Sequence, residues 1–166
     1  MGAGIVPVAE YKGTIYFLFG QEYYDKTWGD FGGKPNNSEA VFENAIREGY
    51  EELDGFFGTK IELKQMVKFN FIKRLNSLDD TYHSYLFKTY YNPDLPMYFN
   101  NHHKFIQDNF PNEVDKNGYF EKSQMRWFTK NDLINEKLQF RYFYKDIIQQ
   151  IINNYDIIYK KIKRIK

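Results

Sequence analysis

Residues 32–55, GGKPNNSEAVFENAIREGYEELDG, constrain the fold of this chain more than any other stretch. Their apolar residues follow the spacing of one helix face, which predicts an α-helix from residue 39 to about residue 53. A glycine pair and a short polar loop precede this helix, and Asp54-Gly55 can end it. Its last turns contain three carboxylates, Glu48, Glu51 and Glu52.

This concentration of carboxylates is unfavourable for an isolated helix. Residues three or four apart share a helix face, so each pair of like charges costs about 0.2–0.5 kcal/mol, and the C-terminal end of the helix dipole disfavours anions. A divalent cation would reverse the balance, and oxygen ligands at short spacing suit Mg²⁺ or Mn²⁺. The alternative is a solvated acidic face, in which Arg47 pairs with Glu43 and Glu51.

Composition limits the class of protein. The 166 residues are 42% hydrophobic and 27% charged, as in a globular domain. The net charge of +1 excludes a protein-wide basic field for nucleic acid. The absence of cysteine excludes disulfides and thiolate metal sites. With no visible signal peptide and no run of about 18 apolar residues, we expect a soluble intracellular protein without membrane contact.

The remaining pattern predicts strands on both sides of this helix and a second helix near the C terminus. Strands are expected at residues 4–11, 14–24, 81–91 and from about residue 118, and one strand or a strand pair at residues 61–75. An insertion with a short helix is expected at about 93–118, and one long amphipathic helix at about 141–165. This order predicts one α/β domain.

The segment from Gly33 onward resembles the signature of the Nudix hydrolases, G-x5-E-x7-R-E-U-x-E-E-x-G-U, where U is a bulky apolar residue. Every charged position matches at the correct spacing: Glu39, Arg47, Glu48, Glu51 and Glu52. Departures from it include Gly49 at the first U and Asp54 at the last glycine, with a glycine one residue later at Gly55. The resemblance covers roughly residues 4–140, and only its box, residues 33–55, is specific. It implies a single Nudix-type α/β/α sandwich with a mixed β-sheet over residues 1–166.

The resemblance also implies roles for individual residues. The side chains of Glu48, Glu51 and Glu52 and the carbonyl of Gly33 are expected to bind Mg²⁺ or Mn²⁺. Arg47 is expected to orient the carboxylates, Glu39 to support that network, and Lys34 to face a phosphate. The implied reaction is metal-dependent hydrolysis of a nucleoside diphosphate linked to a further group.

The general base is expected among carboxylates beyond the helix. Glu121 is the main candidate, because it shortly precedes Arg126-Trp127-Phe128, as such a residue often does in relatives of this family. Glu113 and Asp115 are rivals in the preceding loop, and Glu51 could itself serve as the base.

Aromatic and basic residues suggest substrate contacts. Trp28 and Phe31 could stack on a nucleobase. Lys73 and Arg74 could extend a path for RNA or polyphosphate toward the basic C terminus. That terminus contains Lys160, Lys161, Lys163, Arg164 and Lys166. The alternative is a solvated helix end, where cations suit the dipole.

The chain as a whole is similar to Nudix proteins of large DNA viruses, some of which decap mRNA and release m7GDP. Decapping, in a host cytoplasm if the protein is viral, is therefore the leading expectation. The alternatives are hydrolysis of diphosphoinositol polyphosphates, dinucleoside polyphosphates or nucleotides, and a non-catalytic RNA-binding module. The substrate is the only partner expected, since no obligate protein partner is evident.

Overall fold

A computed structural model describes residues 1–114, 116 and 118–165 of the chain. The strands are β1 Gly2–Tyr11, β2 Thr14–Glu22, β3 Trp28–Gly29, β4 Phe31–Gly33, β5 Phe71–Asn76, β6 Tyr82–Lys88 and β7 Lys122–Phe128. The helices are α1 Val41–Glu52, α2 Lys60–Phe69, α3 Leu95–Asn109, α4 Lys130–Glu136, α5 Lys145–Asn153 and α6 Tyr155–Arg164.

The strands form one mixed sheet around β1. This strand pairs antiparallel with β2 through a tight hairpin and parallel with β6, and β5 pairs antiparallel with β6 at one edge. β7 pairs antiparallel with β2. β4 pairs antiparallel with the start of β1, with Ala3 opposite Gly33. This last pairing fixes the glycine pair beside the first residues of β1.

Helices cover both faces of the sheet. Side chains alternate along β1, so Ile5 contributes to the core under α1, α2 and α3, and Val6 and Val8 contribute to the core under α4, α5 and α6. Both cores are filled by fully buried side chains. The predicted α/β/α sandwich with a mixed sheet is therefore confirmed.

Helix α1 starts two residues later than predicted and ends at Glu52. Its apolar face packs on β1 at very short distance, because a Cβ on Gly49 would lie 2.6 Å from the Cγ1 of Ile5. The departure from the family signature at Gly49 therefore has a steric cause: only glycine lets this helix approach the sheet so closely.

The prediction of a strand over residues 61–75 was wrong for its first part. Residues 60–69 form α2, which begins with a capping box between Thr59 and Glu62. Leu63 and Val67, four residues apart, are its buried positions. The strand starts only at Phe71. The apolar residues of this stretch fit both the two-residue period of a strand and the 3.6-residue period of a helix. The capping box at Thr59 favours the helix.

The C-terminal helix is also interrupted. A short 3-10 turn at Tyr142–Tyr144 precedes α5, and Asn154 separates α5 from α6. In the segment predicted to be an insertion, α3 is longer than the short helix expected there. No helix among the described residues has the length and apolar character needed to cross a membrane.

Candidate active site

Arg47 of α1 lies at the centre of a group of carboxylates. Its guanidinium donates to Glu39 (3.0 Å), Glu48 (2.8 Å) and Glu51 (2.9 Å), and also to the carbonyl of Lys34 (3.0 Å). Burial alone would lower the pKa of Arg47, but the surrounding carboxylates outweigh it and the pKa is raised. Arg47 thus links three carboxylates and the loop after the glycine pair to one point of α1.

The carboxylate of Glu48 lies directly against the glycine pair. A Cβ on Gly33 would be 2.7 Å from its Oε2, so only glycine leaves room for this side chain. Burial raises the pKa of Glu48, and Arg47 opposes that shift. The fully buried Asn44, which the sequence did not single out, donates from Nδ2 to the Gly33 carbonyl (3.2 Å) and accepts from Arg47 at Oδ1 (2.9 Å).

Glu52 is the most buried carboxylate of α1, with 2% of its surface exposed. One oxygen accepts from the Gly32 backbone N–H (2.6 Å), and the other lies 3.3 Å from the Nζ of Lys122 on β7. Burial raises the pKa of Glu52 well above its ordinary value. Lys122 opposes that shift, whereas Glu22 and Glu121 add to it.

Lys122 was not predicted as a site residue, yet it is fully buried between Glu52 and Glu22. Burial by itself would lower the pKa of Lys122, but these two carboxylates raise it. Glu22 in turn accepts from Arg141 (3.0 Å). The only sequence signal for this ion pair network is the position of Lys122, next to Glu121 at the start of a strand.

Glu121, the candidate base, lies directly before β7 and close to Glu51 of α1. A Cβ on Gly118 would be 3.1 Å from a carboxylate oxygen of Glu51 and 3.9 Å from one of Glu121, so both carboxylates flank the same glycine. Hereafter, the carboxylate cluster means Glu48, Glu51, Glu52 and Glu121. The rival Glu113 is half exposed and pairs with Lys116 (2.8 Å), and the rival Asp115 is outside the described residues.

Lys34 follows the glycine pair and its side chain is exposed. It lines an open hollow of about 670 Å³ together with Gly2, Pro35 and Asp80. Its backbone carbonyl is bound by Arg47, so the loop that carries it is tied to α1.

Trp28 and Phe31 are not available for stacking on a substrate, which corrects our expectation. Trp28 is 6% exposed and packs edge to face on Phe128 at 5.0 Å between ring centroids. Phe31 is completely buried, on the opposite face of the sheet, beneath α1. Both aromatics flank the glycine-rich segment because their burial anchors β3 and β4 on the sheet.

Lys73 and Arg74 are on β5, at an edge of the sheet, and are not brought to the carboxylate cluster. They line a groove of about 210 Å³ between β5 and α6, together with Phe71, Ile157 and Lys161. A second hollow of about 360 Å³ on α6 involves Lys160 and Arg164. We call these five cations, Lys73, Arg74, Lys160, Lys161 and Arg164, the basic groove. Lys166 lies outside the described residues.

A buried polar network lies behind the glycine pair. The carboxylate of Asp30 accepts from the hydroxyls of Tyr82 (2.7 Å) and Ser84, and Ser84 contacts the hydroxyl of Tyr144 at 3.0 Å. Burial raises the pKa of Asp30 to about 6, although these two hydrogen bonds oppose the shift.

The donor set of α1 fits a hard divalent cation, since it offers only oxygen atoms. Within the described residues, no three Asp, Glu or His side chains are arranged to hold a metal ion as they stand. Their oxygens contact Arg47 and Lys122 instead. Glu39, Glu48 and Glu51 share one guanidinium, and Glu52 shares one ammonium with Glu22. Carboxylates thus outnumber cations in these contacts, and an added cation would correct the imbalance.

The chain has the fold of the Nudix hydrolases. It aligns with an Ap4A hydrolase of C. elegans in a binary complex with a TM-score of 0.56 and 19% identity, over 94% of this chain and 98% of that one. A MutT protein of Methanosarcina mazei Go1 aligns with a TM-score of 0.53 and 17% identity, over 93% of each chain. The Nudix hydrolase RenU of M. smegmatis aligns with a TM-score of 0.52 and 11% identity, over 93% of this chain and 85% of that one.

Sequence comparison adds one short match. No protein-family model matches the chain. The uncharacterized protein L534 of Acanthamoeba polyphaga mimivirus is 43% identical over 61 residues, which are 33% of this chain and 20% of that protein. The match thus spans about a fifth of the length of this curated relative.

Proposed function

We propose that this protein is a divalent-metal-dependent pyrophosphohydrolase of the Nudix type. One observation carries the proposal: α1 holds Glu48 and Glu51 against Arg47 and Glu52 against the glycine pair, and Glu121, directly before β7, shares with Glu51 the space beside Gly118. A binding module would not need this arrangement, because mutual repulsion and burial make it costly without a cation.

The metal, Mg²⁺ or Mn²⁺, would be held by Glu48, Glu51, Glu52 and the Gly33 carbonyl. When bound, it would neutralise a diphosphate and lower the pKa of a coordinated water. The Gly33 carbonyl now accepts from Asn44, and Arg47 keeps the carboxylates of Glu48 and Glu51 together. These contacts hold the ligands close to one another before any cation arrives.

The other residues would act on the substrate and the water. Glu121 would accept the proton of the attacking water, with Glu51 as the alternative base. Arg47 would orient the carboxylates and not contact the substrate. Lys34, at the open hollow beside the glycine pair, would face a phosphate of the substrate.

For the substrate, we propose the 5′ cap of mRNA, hydrolysed to release m7GDP. The basic groove supports an RNA body, because five cations and Phe71 lie together in a protein whose net charge is only +1. The short match to a mimivirus protein is consistent with a viral source, for which the host cytoplasm would be the place of action.

The second candidate is a small-molecule hydrolase of the same fold. The likeness to an Ap4A hydrolase favours dinucleoside polyphosphates. Diphosphoinositol polyphosphates and free nucleotides remain within this class, because the carboxylate cluster handles only the diphosphate. A non-catalytic RNA-binding module is a third candidate, and the carboxylate cluster argues against it.

A substrate panel tests the proposal. Capped RNA, cap analogue, Ap4A, an inositol pyrophosphate and nucleotides are each incubated with Mg²⁺, with Mn²⁺ and with EDTA. We expect hydrolysis that needs the metal, is fastest on long capped RNA, and falls about 100-fold or more in a folded Glu52→Gln variant. Preference for Ap4A or an inositol pyrophosphate would select the second candidate. No metal-dependent turnover of any substrate would overturn the enzyme assignment.

A further inference from the structure

The peptide of Phe120, just before Glu121, is bound by side chains from two distant segments. Its N–H donates to Oδ1 of Asp54 (3.3 Å), directly after α1. Its carbonyl is 2.8 Å from Nε2 of His103, on α3. Because a carbonyl only accepts, Nε2 of His103 carries the hydrogen. Both polar groups of this peptide are therefore fixed by side chains rather than by the sheet.

Phe120 adopts a backbone conformation that a large side chain avoids. Its φ is +61°, in the left-handed region, where such a residue costs of order 1–3 kcal/mol and persists only when its surroundings impose it. Asp54 also has a positive φ, of +48°. The strain and the hydrogen bonds thus occur at the same place, which indicates that this conformation is imposed.

These hydrogen bonds fix the backbone on the N-terminal side of Glu121. The Glu121 carbonyl accepts from the N–H of Tyr23 (2.8 Å), so the chain is held on both sides of its Cα. This sets the direction in which its side chain leaves the backbone, toward Gly118 and Glu51. The ring of His103 also lies against that of Tyr23, at 5.7 Å between centroids.

We propose that Asp54 and His103 are positioning residues that aim Glu121 at the carboxylate cluster. Asp54 stands where the family signature has a glycine, so this departure supplies an acceptor that a glycine lacks. His103 gives α3, in the insertion, a part in the site. The proposal rests on the proposed function where it takes Glu121 as the base. The fixing of the Phe120 peptide by Asp54 and His103 does not depend on that function.

The decisive variant is Asp54→Gly. Glycine adopts a φ of +48° without strain. The change therefore removes the carboxylate that accepts from the Phe120 N–H and adds no backbone strain. We expect kcat to fall about tenfold or more, with KM changed less than about threefold, because the base is misplaced while the substrate still binds. Amide hydrogen exchange at Phe120 and Glu121 should become faster.

Conservative variants at the same two positions should keep nearly the wild-type activity. Asp54→Asn keeps an Oδ1 acceptor, and His103→Gln keeps an amide donor, whereas His103→Ala keeps none. We expect Asn and Gln to stay within about threefold of the wild-type kcat, and His103→Ala to behave like Asp54→Gly. Lys12→Gly is the matched control, since Lys12 has the same φ of +48° in the remote β1–β2 turn; its kcat and the exchange at Phe120 should not change.

The two readouts separate this proposal from the proposed function. If the wild-type protein hydrolyses nothing, the function fails, and exchange at Phe120 in the variants still tests the positioning. Wild-type exchange and wild-type kcat in both folded Asp54→Gly and folded His103→Ala would overturn the proposal. So would a loss of kcat that Asp54→Asn and His103→Gln share with the disruptive variants. If Asp54→Gly does not fold, His103→Ala decides by the same measurements.

Discussion

Glu52 and Lys122 show how single residues set the charge of the site. Glu52 uses one oxygen for the Gly32 N–H and the other for Lys122, so its carboxylate is fully engaged in the interior. Lys122 is shared with Glu22, which also accepts from Arg141. A buried ion is tolerated only when it is paired and hydrogen-bonded. The free energy of unfolding should therefore depend strongly on this lysine.

Replacing Lys122 by methionine tests that dependence. Lys122→Met keeps an unbranched side chain one atom shorter and removes the only cation in contact with Glu52 among the ion pairs described. We expect a loss of about 3–5 kcal/mol in the free energy of unfolding at pH 7, measured by urea denaturation. The exposed pair of Lys104 with Asp108 provides the control, and Lys104→Met should change stability by less than about 0.5 kcal/mol. Equal, small effects of both substitutions would contradict this view of the pair.

Asp30 should make stability depend on pH. The pKa of its carboxyl is about 6 in the fold and about 3.9 in an unfolded chain. Between these values the folded state binds more protons than the unfolded state, so stability falls as pH rises from about 4 to 6, by about 3 kcal/mol from this group. Asp30→Asn can keep the contacts with Tyr82 and Ser84 without charge. Its stability should fall about 3 kcal/mol less over that window, whereas parallel curves for wild type and variant would rule out the shift.

At the scale of elements, the contact between α1 and β1 places the whole carboxylate cluster. The helix lies so close to the strand that Gly49 touches Ile5, and the glycine pair of β4 completes the floor under Glu48. The distance between helix and sheet therefore sets the distance between the α1 carboxylates and the Gly33 carbonyl.

Gly49→Ala tests this close approach. Alanine favours helix by about 1 kcal/mol over glycine, but its Cβ would overlap a buried, β-branched side chain, which typically costs about 1–3 kcal/mol. We expect a net destabilisation of up to about 2 kcal/mol on thermal or urea unfolding. In an Ile5→Ala background the overlap disappears, so the same substitution should stabilise the protein. The same destabilisation in both backgrounds would show that contact with Ile5 is not the cause.

At the scale of the whole molecule, two features lie on different parts of the sheet. The carboxylate cluster lies where β1, β4 and α1 meet, whereas the basic groove lies between the edge strand β5 and α6. Charge is thus segregated in a chain that is nearly neutral overall. A small substrate would meet only the carboxylate cluster, and a long polyanion could meet both.

The double variant Lys73→Glu, Arg74→Glu tests whether both surfaces act on one substrate. We expect turnover of long capped RNA to fall about tenfold or more at low salt, and turnover of cap analogue to stay within about twofold. The matched control reverses two exposed charges elsewhere, Lys12→Glu with Lys104→Glu, and should leave both rates unchanged. Equal loss on RNA and on cap analogue would argue that the groove affects folding rather than RNA contact.

The sequence was sufficient for the features that depend on local spacing. The sequence alone predicted the helical period of α1, its carboxylates and the glycine pair before it, and the structure places these features together. It was not sufficient where two periods coincide, as in residues 60–69, or where burial depends on distant strands, as for Lys122. The aromatics misled for a related reason: in a chain with 20% aromatic residues, the core takes most of them, including Trp28 and Phe31.

The most direct test of the metal site is anomalous diffraction from crystals soaked in Mn²⁺. Data from the wild-type protein and from Glu52→Gln should be collected at the manganese edge under identical conditions. We expect a peak bounded by Glu48, Glu51, Glu52 and the Gly33 carbonyl in the wild type, and a weak or absent peak in the variant. No peak at this place in well-ordered wild-type crystals, with or without a nonhydrolysable diphosphate ligand, would contradict the account.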